Sequence, residues 1–196
     1  MFKSIKNRLT RKISRTNQPY LPLVNAELKG DAEESYKAAG CVFKSAHHIL
    51  AGYQPKKKTP YISGIGGKKE AHESFMDTAL REMIEELLET TPTPALIQEI
   101  KVSIAPTKVV QNGSYILVLY TFESLSSILK LVKKHALHSP LYDTVPETLI
   151  ELIFKRKVSS KSELSHLSIL PLVEHDRKNP FVDPYFIKDM PILMKE

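Results

Sequence analysis

From Ser74 to Glu89 the chain carries two patterns that only a helix reconciles. Met76, Ala79, Leu80, Met83, Ile84 and Leu87 recur every three or four residues and form one apolar stripe. Glu82, Glu85, Glu86 and Glu89 take the opposite side. Thr91-Pro92-Thr93-Pro94 then stops the helix. Carboxylates at i, i+3 and i+4 repel one another, so helix propensity does not select them. A hard divalent cation reverses that cost, because Mg²⁺ takes oxygen ligands and works with substrate phosphates.

The acids extend a longer pattern, Gly67-x5-Glu73-x7-Arg81-Glu82-Met83-x-Glu85-Glu86. This spacing resembles the signature of the Nudix hydrolases. The resemblance covers roughly residues 36–175. It implies an α+β fold, an α/β/α sandwich with a mixed sheet and a helical insertion at about 124–157. It implies metal-dependent cleavage of a phosphoanhydride in a nucleoside diphosphate linked to another moiety, with Mg²⁺ or Mn²⁺ as cofactor. Carried over by position, Glu82, Glu85 and Glu86 are the metal shell, and Gly67 offers a turn carbonyl. Glu73 is a ligand or a partner behind the ligands, and Arg81 orients the acids through charge-assisted hydrogen bonds. Gly66, Gly67 and Lys68 are placed to meet substrate phosphate.

Two positions depart from the family pattern. Leu88 stands where the last glycine is usual, and Ile65 where a proline often precedes the two glycines. That glycine ends the helix in a left-handed conformation, which leucine disfavours. The helix is therefore expected to run on toward Thr91. A catalytically degenerate module that binds a nucleotide or a partner is the alternative these departures raise.

Downstream, Glu163-Leu164 to Leu172 is similar to the family's late segment, in which a glutamate precedes a strand ending in apolar-Pro-Leu. That resemblance makes Glu163 the candidate distal base, with Glu123 its rival. His47-His48 point to opposite faces of a strand, and His135 and His138 have no carboxylate nearby in sequence, so neither pair reads as a metal site.

A chain of 196 residues suits one domain with tails. The division expected is a basic tail and linker at 1–22 and a domain at 23–196. One cysteine, Cys41, excludes an internal disulfide and fits a reducing, intracellular, cytoplasmic setting. No apolar run spans a bilayer. The net charge of +6 favours anionic partners. Lys3, Lys6, Arg8, Arg11, Lys12 and Arg15 precede the first acid, interleaved with Phe2, Ile5, Leu9 and Ile13. This basic amphipathic segment suits mitochondrial import, a membrane surface, a nucleic acid, or a plain disordered tail. With Lys56-Lys57-Lys58 and Lys155-Arg156-Lys157 it raises capped RNA as a candidate substrate.

The remaining pattern predicts strands at 36–44, 47–54 and 61–63, and a glycine turn at 64–67. A hairpin turning at Asn112-Gly113 leads into a strand at 114–122. Helical stripes follow at Leu125–Val132 and Leu149–Ile153, joined at His138-Ser139-Pro140, then a strand at 164–172. A proline-rich end reads as loop with a short helical turn.

Overall fold

The computed structural model describes residues 26–27, 35–173 and 179–195. The basic amphipathic segment and the linker at 18–22 lie outside the described residues. The elements run β1 (Ala26–Glu27), β2 (Ala38–Lys44), β3 (His48–Gln54), β4 (Tyr61–Ser63), β5 (Ile65–Lys68), α1 (Phe75–Leu88), α2 (Pro94–Ser103), β6 (Lys108–Asn112), β7 (Tyr115–Thr121), α3 (Phe122–Lys134), α4 (Leu149–Phe154), β8 (His166–Pro171) and α5 (Pro184–Met194). The expected α+β class and mixed sheet are what the chain adopts.

β2 and β7 are apolar at almost every position, the mark of strands covered on both faces. They lie parallel, from Ala38 opposite Tyr115 to Lys44 opposite Thr121. β7 returns antiparallel along β6 through the Asn112–Tyr115 turn, and β1 lies parallel outside β6. On its other side β2 meets β3 only where Lys44 faces Ile49, and then the two strands separate. β5 fills the opening, antiparallel to β2. β4 pairs with β3 instead, and β8 also pairs with β3. The stretch Tyr61–Lys68 thus changes partner at Gly64. The glycine run expected as a turn is therefore largely a strand, because the open edge of β2 supplies backbone partners that a turn would leave unmet.

Alternation sends side chains to two cores. Ala39, Cys41, Phe43, Ile116, Val118 and Tyr120 pack under α1, α2, α3 and α4. Val42, Leu117 and Leu119 pack under α5 through Phe186, Ile187, Met190 and Leu193. The result is three layers, helices on both faces of the sheet.

Three helix expectations need correction. α1 does not run on past Leu88. Leu88 is fully buried in the core, and the residue after it, Glu89, takes the left-handed conformation at φ 50°. The stop moves one position, so leucine itself pays no left-handed strain. Residues 94–103, which the sequence pattern assigns to no element, form α2. Thr93 caps its start, Pro94 takes the first helical position, and Leu96, Ile97 and Ile100 bury its inner face. The proline-rich end is a helix of 11 residues rather than a short turn. Asp183 Oδ1 accepts from Tyr185 N at 2.6 Å and Phe186 N at 3.3 Å, which seats Pro184 at the first position.

α5 is docked by Asp189, whose Oδ1 accepts from Asn112 Nδ2 at 2.6 Å. Burial pushes this carboxyl up to about 6, against the pull of that hydrogen bond. An acid whose folded pKa exceeds its unfolded one stabilises fully only below the unfolded value, and that contribution is lost as pH rises through the folded value. Asp189→Asn keeps the acceptor oxygen. It is expected to raise stability by about 2 kcal/mol at about pH 8 and to change it little at about pH 4. Denaturant titrations at both pH values check this; an equal effect at the two would refute it.

Candidate active site

The start of α1 is fixed by reciprocal hydrogen bonds. Ser74 Oγ accepts from Asp77 N at 3.2 Å, and Asp77 Oδ2 accepts from Ser74 N at 3.2 Å. Lys101 of α2 donates to Asp77 Oδ1 at 2.8 Å. With the first turn held, the next two turns present Arg81, Glu82, Glu85 and Glu86 toward β5.

Arg81 is the hub. Its Nε donates to Glu73 Oε1 at 2.6 Å, and its Nη1 to Glu82 Oε1 at 2.8 Å and Glu85 Oε2 at 2.9 Å. Its Nη2 reaches Glu73 Oε2 at 3.1 Å and the Lys68 carbonyl at 2.9 Å. These acceptors, Glu73 foremost, raise its pKa and keep it charged. Glu73 also accepts from Thr78 Oγ1 at 2.8 Å and Glu70 N at 2.9 Å. Burial pushes the Glu73 carboxyl up, but the Arg81, Glu70 and Thr78 hydrogen bonds outweigh it and hold the group below its usual value. Glu73 therefore stays ionised behind the arginine.

Glu86 differs from its neighbours. Sequence periodicity sets it on the solvated side of α1, yet it is 2% exposed because β5 crosses the helix there. Its Oε2 accepts from Gly66 N at 2.8 Å. Burial drives its pKa well up, Glu163 and Glu82 add to this, and the Gly66 N–H and Lys57 oppose it. Glu82 is raised by burial and by Glu85 and Glu163, against the pull of Arg81. Gly67 lies directly against Glu82, and a Cβ there would overlap its carboxylate. Gly67 sits within β5 rather than in a turn. The Lys68 side chain is exposed beside it.

Glu163 is exposed in the segment before β8, and its charge acts on both Glu82 and Glu86. Glu123 sits in the first turn of α3 and lines a shallow cleft with Ile104, Ser127 and Lys130. The fold thus gathers Glu73, Arg81, Glu82, Glu85, Glu86, Gly66, Gly67, Lys68 and Glu163 and leaves Glu123 apart. Lys57 was missed as a site residue. Its only sequence signal was membership of a lysine run, and the β3–β4 loop that brings its charge to Glu86 is not written in that run.

Other expectations change. His135 does have a carboxylate close by: its Nε2 lies 2.6 Å from Glu99 Oε2, supplied by α2. Of the basic run at 155–157, Arg156 is buried, while Lys155 pairs with Glu151 and Lys157 with Asp143 at 2.6 Å each. That run no longer offers three free cations to RNA.

The donor set suits a hard divalent cation, since Glu82 and Glu86, raised first by burial and then by neighbouring carboxylates, stand with Glu85 and Glu163 against Arg81 and Lys57. Among the described residues, no three His, Cys, Asp or Glu side chains converge at metal-ligand distance. Arg81 holds Glu82 and Glu85 instead.

No family model matches the chain, and no curated protein does. Solved structures do resemble it. A bifunctional NMN adenylyltransferase/ADP ribose pyrophosphatase from Francisella tularensis, complexed with AMP and a Mn ion, is 13% identical with a TM-score of 0.45. The match covers 82% of this chain, which spans 41% of that protein. A hydrolase of the Nudix family from Clostridium perfringens is 13% identical with a TM-score of 0.34, over 82% of this chain and 97% of that one. At this level of likeness neither match bears on activity. No helix among the described residues is long and apolar enough to cross a membrane.

Proposed function

We propose that the protein is a Nudix-type hydrolase that cleaves a pyrophosphate bond in a nucleoside diphosphate linked to another group. The observation that supports this reading is the set Glu82, Glu85 and Glu86, in the family's spacing, with Glu82 against Gly67 and Glu86 bonded to Gly66 N in β5. A phosphoanhydride repels an incoming water by its own charge. Glu82, Glu85 and Glu86 would hold Mg²⁺ or Mn²⁺, which when bound neutralises phosphate oxygens and acidifies water. Arg81 orients Glu73, Glu82 and Glu85 through its hydrogen bonds, and Gly66 N–H holds Glu86 Oε2. Gly67 leaves Glu82 room to face the substrate. Lys57 and Lys68 draw phosphate to the mouth of the site. Glu163, solvent-exposed and close to the cluster, takes the proton from water.

The test is a panel of dinucleoside polyphosphates, nucleotide sugars, oxidised nucleotides, coenzymes and capped RNA, each with Mg²⁺ and Mn²⁺. Metal-dependent turnover of at least one substrate supports the reading. Glu163→Gln is expected to lower kcat on the order of 10²- to 10⁴-fold, whereas Glu123→Gln should stay within about twofold. Equal losses for the two would remove Glu163 as the base.

Arg81's hold on three carboxylates favours a second reading, a non-catalytic module that binds nucleotide. Nucleotides that raise the melting temperature without turnover of any panel member would select it. Capped RNA as the substrate would now rest on the amino-terminal segment and Lys56–Lys58. Loss of its preferential use as salt rises is the expected sign.

A further inference from the structure

The last turn of a helix leaves carbonyls that need donors, and a glycine-ended helix meets them with its own backbone. α1 ends without glycine and is met from far along the chain. Arg156 Nη1 donates to the Leu87 carbonyl at 2.6 Å and Nη2 to the Glu86 carbonyl at 3.1 Å. Ser139 Oγ donates to the Leu88 carbonyl at 2.5 Å. The positive guanidinium sits at the negative end of the helix dipole, the favourable sense. Arg156 is 8% exposed, and its Nη1 also reaches Tyr142 Oη at 3.1 Å. Tyr142 in turn donates to the Leu152 carbonyl of α4 at 2.7 Å, which ties this arginine, itself at the end of the helical insertion, back to α4.

The same guanidinium makes one more bond. Nη2 donates to the Leu164 carbonyl at 2.6 Å. Leu164 directly follows Glu163 and is fully buried against Gly52 of β3. One rigid, planar group therefore touches the Glu86 carbonyl and the carbonyl of Leu164, the residue after Glu163. Lysine could not do this, having a single nitrogen on a flexible stem.

We propose that Arg156 is a positioning residue: it sets the separation between the end of the glutamate helix and Glu163, and so couples the insertion to the reaction. This rests on the hydrolase reading given above. Glu89 takes the left-handed position and its N–H meets the Glu85 carbonyl, and the side chains of Arg156 and Ser139 meet the three carbonyls that follow. The insertion then serves as a brace for the site.

The test is a double-mutant cycle with Arg156→Lys and Glu163→Gln, read as kcat on whichever panel substrate the wild type turns over. Arg156→Lys alone is expected to lower kcat at least tenfold with KM changed less than about threefold. In the Glu163→Gln background the same substitution should cost under about twofold. Additive losses would overturn the proposal, because a merely structural role lowers activity whether or not Glu163 is present. Ser139→Ala, which removes one cap but not the link to Leu164, should leave kcat within about threefold. If Arg156→Lys fails to fold, Tyr142→Phe, which loosens the arginine from α4, takes its place with the same expected non-additivity. Hydrogen exchange gives a readout independent of turnover. Arg156→Lys should speed exchange at residues 164–167 and 87–90 together, with β7 unchanged. Loss confined to 87–90 would overturn the coupling even if no substrate is cleaved, whereas joint loss without any turnover would fault the hydrolase reading alone.

Discussion

Glu86→Gln is expected to abolish measurable turnover and at the same time to make the metal-free protein more stable. Glutamine keeps an acceptor for Gly66 N–H, so the hydrogen bond to β5 survives. It removes a negative charge that is buried and repelled by Glu163 and Glu82. Because the folded pKa of Glu86 lies above its unfolded value, its contribution is full at low pH and is lost as pH rises through the folded value. Variant and wild type should therefore melt together in acid and separate in favour of the variant toward neutral pH. Adding Mn²⁺ should reverse the order, by stabilising the wild type only. Loss of a ligand should cost at least about 10²-fold in activity, more than loss of a group behind the ligands. The melting curves with and without Mn²⁺, read beside an assay, carry the decision. A variant that keeps full activity, or that gains as much from Mn²⁺ as the wild type, would remove Glu86 from the metal shell.

The second large effect separates two adjacent glycines. At Gly66, with φ of +151°, an added Cβ would overlap backbone, the Gly40 Cα and the Ala39 carbonyl, as well as the Tyr115 hydroxyl. Backbone in a central strand cannot move aside, so Gly66→Ala should cost about 3 kcal/mol or more and leave little folded protein. At Gly67 the three atoms nearest an added Cβ all belong to the end of the Glu82 side chain. A flexible side chain can turn away, so Gly67→Ala should fold with a cost of about 1 kcal/mol, or less. The carboxylate it displaces belongs to the proposed metal shell, so activity should fall on the order of 10²-fold. Circular dichroism melts and assays of the two variants side by side test this. If Gly67→Ala retains full activity, Glu82 does not work from its present place.

The carboxylate cluster was legible because periodicity and spacing are local properties. Carboxylates three and four residues apart must share a helix face, whatever surrounds them. Cap chemistry was legible too, but it was not used evenly. Thr93-Pro94 and Asp183-Pro184 both announce helix starts, yet the first reads as the stop of the helix before it and the second is lost in a proline-rich end that reads as loop. The glycine run at 64–67 misled for a different reason. Whether glycine is turn or strand depends on an open strand edge, and β2 offers one only because β3 leaves it after Lys44. The burial of Glu86 has the same cause, since β5 passes over the helix at that residue.

What the sequence determined alone was the helix, its acids, the strands that become β2 and β7, and the hairpin at Gly113. All depend on residues close in the chain. What only tertiary structure decided was which groups meet those acids. Arg81 joins Glu73, eight positions back, through a loop, and Lys57 and Glu163 approach from opposite directions in sequence. Arg156 caps a helix some 70 residues earlier. Such meetings depend on how sheet and helices pack, and packing energy is shared over many residues, so no short pattern records it.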